Sequence, residues 1–146
     1  MNTLAKFSDT LNELILLNGL NEQSLAENSG VPIACISSYV RGLQAPYIDT
    51  LIKLSDYFKC SIDYLLGRTD KTCKKAYKNK VPFAQRFKEL LKLNNCPSYN
   101  NTFGEMEISK SSFYEWKRGD SLPTLENLVR LAEFFDCSVD FLLGRE

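Results

Sequence analysis

The sequence contains 146 residues, of which 44% are hydrophobic and 25% charged, and this composition excludes collagen-like, low-complexity and wholly disordered chains. Its 18 basic and 18 acidic side chains balance, whereas nucleic-acid-binding domains often have a pI above about 9. No apolar run approaches the roughly 20 residues that cross a bilayer, and Lys6, Asp9 and Glu13 interrupt the N-terminal apolar stretch. We therefore expect a cytoplasmic protein with no membrane contact.

The N-terminal part of the chain predicts three helices in succession. Apolar side chains recur at steps of three and four residues along the first; they are Leu4, Phe7, Leu11, Leu14 and Ile15. Gly19 ends this helix, and Asn21 is suited to cap the next. Gly30 can adopt the left-handed conformation of a tight turn. Pro32 suits the start of a third helix, which ends at Gly42.

Two further helices are predicted before residue 68. Leu51, Leu54 and Phe58 line the fourth at helical spacing. Ser61 caps a short fifth helix that ends at Gly67. No segment alternates with period two for long enough to form a sheet, so we predict an all-α fold.

The second half of the chain repeats the first at a shift of 77 positions. Over residues 39–68, 13 of 30 positions are identical to residues 116–145, and residues 60–68 align throughout with 137–145. Two copies are too few for a solenoid, which needs at least three. We therefore predict two tandem five-helix domains, residues 1–68 and 81–146.

A lysine-rich linker, residues 69–80, is predicted between the two domains, because it carries charge without apolar periodicity. Residues 1–68 hold five basic and seven acidic side chains, and residues 83–146 hold eight and ten, so each has a net charge of −2. Residues 69–82 hold five lysines against one aspartate, a net charge of +4. The basic charge is concentrated in the linker.

The cysteine and histidine contents argue against an enzyme and against a metal site. There is no histidine, which removes the Ser-His-Asp and Cys-His arrangements. The five cysteines form no C-x-x-C pair, so we expect free thiols, no structural zinc and no cofactor. Cys60 and Cys137 occupy matched positions and are expected to be small buried hydrophobes. Tyr39 and Trp116 also correspond and are expected to be half-buried packing residues.

The two helices around Gly30, followed by Arg41-Gly42, Pro46 and the ending of residues 63–67, resemble the Cro and lambda-repressor type of helix-turn-helix domain, the XRE family. The resemblance covers nearly the whole chain, once in each copy. It implies two lambda-repressor-like domains that bind double-stranded DNA, with the third helix of each in the major groove.

Carried onto the first copy, the resemblance places Ile33, Ala34, Ser37 and Ser38 at the base edges and Ile36 in the core. Contacts to the DNA backbone fall to Glu22 or Gln23 and to Arg41, Leu43 and Gln44.

In the second copy, the third helix offers mainly charged and hydroxyl side chains to DNA: Lys110, Ser111, Tyr114, Glu115, Lys117 and Arg118. The preceding helix departs from the family pattern, because Phe103 replaces the small residue represented by Ala26. Glu107 replaces Gly30, and a left-handed conformation there would cost about 1 kcal/mol. We expect the second helix of this copy to be shortened or displaced.

The leading hypothesis is a non-enzymatic transcriptional regulator that binds double-stranded DNA sequence-specifically. The linker could span the distance between neighbouring major grooves, so one chain could act as an intramolecular pseudo-dimer, and a homodimer is equally open. The alternative is a protein-interaction or antitoxin-like adaptor on a helix-turn-helix frame, with weak or no DNA binding. The balanced charge, Glu22 and the apolar pair Ile33-Ala34 favour this alternative.

Overall fold

The computed structural model describes residues 3–70 and 81–145, and every regular element in these ranges is a helix. The all-α prediction is therefore confirmed. The chain divides into two compact units, Met1–Tyr77 and Lys78–Glu146. None of the helices in the described ranges is long and apolar enough to cross a membrane.

The described part of the first unit contains five helices: α1 (Thr3–Leu17), α2 (Glu22–Ser29), α3 (Ile33–Val40), α4 (Ile48–Phe58) and α5 (Ile62–Leu65). Its core is aliphatic around one aromatic pair, in which the rings of Phe7 and Tyr39 meet edge to face at 5.6 Å. Leu11, Leu25 and Leu51 are also fully buried. The apolar stripe of α1 thus packs against the helices that follow it.

The described part of the second unit also contains five helices: α6 (Phe83–Leu93), α7 (Asn101–Glu105), α8 (Lys110–Arg118), α9 (Leu125–Phe134) and α10 (Val139–Leu142). Its core is aromatic. The ring centroid of Phe87 lies 5.4 Å from that of Phe113 and 6.0 Å from that of Trp116. Phe103 packs against Phe113 at 4.8 Å, so it fills space inside this unit.

The second helix of this unit is shortened, as expected: α7 has 5 residues, where α2 has 8. Glu107 nevertheless keeps the left-handed conformation of Gly30, with a φ of 61° against 80°. The strain predicted at Glu107 is therefore present, and the turn is retained despite it.

Two expectations about burial need correction. Tyr39 is 0% and Trp116 3% exposed, so both are fully buried where half-buried rings were expected. The reason is that each ring packs against a phenylalanine of the first helix of its own unit, Phe7 or Phe87. Cys60 is buried as expected, but Cys137 is only half-buried. None of the four described cysteines forms a disulfide.

Candidate nucleic-acid interface

The turn between α2 and α3 is built by local interactions. Asn21 caps α2: its side chain accepts from the backbone N–H of Ser24 at 2.8 Å, and the Ser24 hydroxyl accepts from the N–H of Asn21 at 3.0 Å. Gly30 ends α2 in the left-handed region, and its N–H donates to the Ala26 carbonyl oxygen at 3.1 Å. Val31, 2% exposed, anchors the turn in the core. These contacts fix the angle at which α3 begins.

Two polar side chains of α1 hold the end of α3. The Ser8 hydroxyl donates to the carbonyl oxygen of Val40 at 3.0 Å, and the Asn12 amide donates to the same oxygen at 2.9 Å. This oxygen belongs to the last turn of α3, where no later helical N–H reaches it. Sequence reasoning missed this role; the only signal was Ser8, a hydroxyl residue next to Phe7 on the apolar side of α1.

The predicted base-facing residues of the first unit lie together on α3. Ile33 is 51% exposed, Ala34 is exposed, and Ser37 and Ser38 are half-buried. Ile36 is 0% exposed, so its predicted place in the core is confirmed. The outward face of α3 is therefore uncharged and consists of two apolar and two hydroxyl side chains.

The residues predicted to contact the DNA backbone lie at the two ends of the α2–α3 pair. Gln23 is exposed on the first turn of α2, and its amide donates to the Glu27 carboxylate at 3.2 Å. Arg41 is exposed immediately after α3, and Gln44 is half-buried in the following loop. Leu43, 72% exposed, lies between them.

The second unit presents a polar helix at the corresponding place. Ser109 caps α8, because its hydroxyl accepts from the N–H of Ser112 at 3.1 Å. Lys110 and Ser111 are exposed on the first turn. Arg118 is exposed at the end of α8 and forms an ion pair of 2.8 Å with Asp120.

Three of the predicted DNA-contacting residues of α8 are half-buried and bind within their own unit. The Lys117 ammonium donates to the Pro97 carbonyl oxygen at 2.7 Å and lies 5.7 Å from the ring centroid of Tyr114. Glu115 accepts from the Ser121 hydroxyl at 3.2 Å. The side chains of α8 without such contacts are therefore concentrated on its first turn.

Tyr39 is a titratable residue of α3 that lies in the core. Burial raises the pKa of the Tyr39 phenol above its usual 10.0, and the charge of Asp49 adds to the effect. Within residues 3–70 and 81–145 there is no group of three or more histidine, cysteine, aspartate or glutamate side chains placed to hold a metal ion. The outward face of α3 therefore offers a binding partner apolar and neutral hydrogen-bonding side chains and no charged one.

Comparison with known proteins finds similarity in the segment that contains α2 and α3. Residues 11–65 match the family model described as Helix-turn-helix. Over 41 residues the chain is 44% identical to the cryptic phage CTXphi transcriptional repressor RstR of Vibrio cholerae serotype O1, and the alignment covers 28% of this chain and 37% of the repressor. No solved structure matches the chain significantly. Residues 11–65, which contain α2, the turn at Gly30 and α3, are therefore similar to a helix-turn-helix.

Proposed function

We propose that the protein is a transcriptional regulator that binds double-stranded DNA sequence-specifically, with α3 and α8 in the major groove. The observation that carries the proposal is the helix-turn-helix match over residues 11–65, in a unit whose third helix exposes Ile33 and Ala34 at its N-terminal end. The similarity to a phage transcriptional repressor supports the same conclusion. A regulator of this kind acts in the cytoplasm and needs no catalytic group.

We further propose that residues 1–68 and 81–146 are two tandem helix-turn-helix domains. The 77-position repeat and the common order of five helices support this division. So does the matched serine cap of the fifth helix, Ser61 on α5 and Ser138 on α10. The proposed linker is residues 69–80, of which only Thr69 and Asp70 lie within the described residues.

The balanced charge is compatible with DNA binding, because backbone amides can bind phosphate where lysine and arginine are few. The first two N–H groups of α3 have no acceptor among the described residues, because a helix has no preceding turn to accept from its first N–H groups. Arg41 adds one exposed cation at the other end of α3. The lysine-rich segment between the units adds charge that acts on any duplex.

Selection of DNA from a random duplex pool tests the proposal. We expect one sequence family to be enriched and its affinity to fall steeply between low and moderate salt, because bound phosphates release counterions. No enrichment over random duplex, or an affinity indifferent to salt, would contradict the proposal. Measuring the protein-to-duplex ratio at saturation separates an intramolecular pseudo-dimer, at one chain per site, from a homodimer.

A protein-interaction module is the second candidate function, favoured by one feature of the second unit. An open cavity of about 470 Å³ is lined by Glu105, Glu107 and Glu133 together with Arg130. Arg130 already donates to the Met106 carbonyl oxygen at 2.9 Å and to Glu126 at 2.8 Å. The rim of this cavity is acidic and would suit a cationic protein surface. Failure of the DNA selection would make this candidate the leading one.

A further inference from the structure

We infer that α3 recognises thymine, with Ile33 and Ala34 contacting C5-methyl groups in the major groove. The inference rests on the proposed DNA-binding function and names the base that the first unit reads. Three observations support it: the uncharged face of α3, an apolar cavity beside Ile33, and free N–H donors at the start of the helix.

The first observation is that α3 has no charged side chain from Ile33 to Val40. The strongest side-chain readers of guanine and cytosine, arginine or lysine and glutamate or aspartate, are therefore missing from this helix. Ile33 is instead 51% exposed, although isoleucine is one of the residues most often buried in proteins. Contact with a methyl group would remove this apolar surface from water.

The second observation is an open cavity of about 460 Å³ next to Ile33. Its walls are mostly apolar and come from the end of α2 and the turn: Ala26, Gly30, Val31, Pro32 and Ile33, with Gln23 and Glu27 at the edge. The exposed part of Ile33 is therefore continuous with a concave apolar surface. The thymine methyl is the one apolar group that a base displays in the major groove.

The third observation is a pair of backbone N–H groups at the start of α3 that have no side-chain cap. Pro32 precedes the helix without a side-chain hydrogen bond, and the first intrahelical donors are Cys35 and Ile36, both to the Pro32 carbonyl oxygen. The N–H groups of Ile33 and Ala34 have no acceptor within residues 3–70 and 81–145. In the second unit Ser109 caps only the N–H of Ser112, the third residue of α8.

Together these features match the edge of thymine, which presents the O4 acceptor beside the methyl group. The free N–H groups can donate to O4 while the Ile33 and Ala34 side chains contact the methyl. Cytosine presents an amino donor in place of O4 and has no methyl, so it offers neither interaction. Guanine and adenine offer acceptors but no methyl. Thymine alone satisfies both parts of the surface.

The test uses the full chain and the duplex that it enriches. Deoxyuridine replaces thymidine at one position at a time, which removes the methyl and leaves O4 in place. We expect at least one position where this change weakens binding about fourfold, the value of one buried methyl group. In the variant Ile33→Ala the same change should weaken binding less than about twofold, because the contact is already lost. Since Ile33 is half exposed, the variant should fold, and its circular dichroism should match the wild type.

Lys110→Ala is the matched control, because Lys110 occupies the first turn of α8, as Ile33 occupies that of α3. This variant should keep the full fourfold effect of deoxyuridine. An enriched duplex that is indifferent to deoxyuridine at every position overturns the inference alone, as does an equal effect in wild type and Ile33→Ala. A chain that enriches no duplex overturns the proposed function and the inference with it.

Discussion

The phenol of Tyr99 donates a hydrogen bond of 2.8 Å to the carbonyl oxygen of Ile108. This bond joins the residue before the α7 cap, Asn100, to the residue before the α8 cap, Ser109, and so links the two ends of the segment that contains α7. The Tyr99 ring also lies 5.7 Å from Phe113. A side chain thus holds the turn that in the first unit is held by a longer helix and by Gly30.

Removing this hydroxyl with Tyr99→Phe should lower the stability of the second unit by about 1 kcal/mol, because the Ile108 carbonyl loses its partner while the ring remains. Trp116, the single tryptophan, is 3% exposed and reports unfolding of this unit by fluorescence in urea. Tyr47→Phe is the control, since Tyr47 is 66% exposed in the first unit. Identical Trp116 transitions in Tyr99→Phe and wild type would contradict the assigned role.

Alanine substitutions at two glycines of the second unit distinguish the cost of backbone strain from the cost of a steric clash. Gly144 and Gly119 both have positive φ, 75° and 81°, so alanine costs about 1 kcal/mol at either position. A Cβ on Gly144 would lie 1.9 Å from the Val81 carbonyl oxygen, whereas the nearest atom to a Cβ on Gly119 is 3.6 Å away. Gly144→Ala should therefore destabilise by about 1–3 kcal/mol more than Gly119→Ala.

Urea denaturation followed at Trp116 measures both glycine variants in the same unit. Equal losses of stability in Gly144→Ala and Gly119→Ala would show that the Val81 carbonyl moves away from the added Cβ without a measurable loss of folding free energy.

The stability of the second unit should fall in alkali because of Cys96. Burial raises the pKa of this thiol above its usual 9.0, so the folded state holds the proton more tightly than the unfolded state. Stability is therefore fully present below pH 9 and declines as the pH rises through the raised pKa. Cys96→Ala should flatten this decline, measured as urea midpoints at neutral and alkaline pH. The same slope in both proteins would assign the decline to other groups.

Lys110→Ala should change base preference, with a loss of about 1–3 kcal/mol at the base that Lys110 contacts and relaxed specificity there. Lys74→Ala combined with Lys75→Ala, in the proposed linker outside the described residues, should weaken all duplexes alike and reduce the salt slope by about 2. Binding assays on the selected duplex and its single-base variants compare the two. A uniform loss from Lys110→Ala would mean that it contacts phosphate only.

The features that local chemistry determines were predictable from the sequence. The Asn21 and Ser61 caps are local hydrogen bonds to residues three positions ahead. The left-handed ends at Gly19 and Gly30 need only the absence of a side chain. The helix order follows from these boundaries combined with the apolar spacing, whereas the outward-facing residues of α3 were implied by the resemblance to the XRE family.

Features that depend on tertiary contacts were not predictable from spacing. The bond from Lys117 to the Pro97 carbonyl oxygen joins residues 20 positions apart, and that from Asn12 to the Val40 carbonyl oxygen joins residues 28 apart. Residue preference likewise does not predict the left-handed backbone of Glu107, with a φ of 61°. The contacts that the half-buried side chains of α8 make within their unit also depend on residues distant in sequence, so only the structure reveals them.

The lack of charged side chains on α3 has a consequence for how its outward face responds to pH. This helix contains no carboxylate, amine, guanidinium or imidazole, so a mild fall in pH leaves the hydrogen-bonding groups of its outward face unchanged. Under the proposed function, mild acidification would therefore leave the base preference of the first unit unchanged.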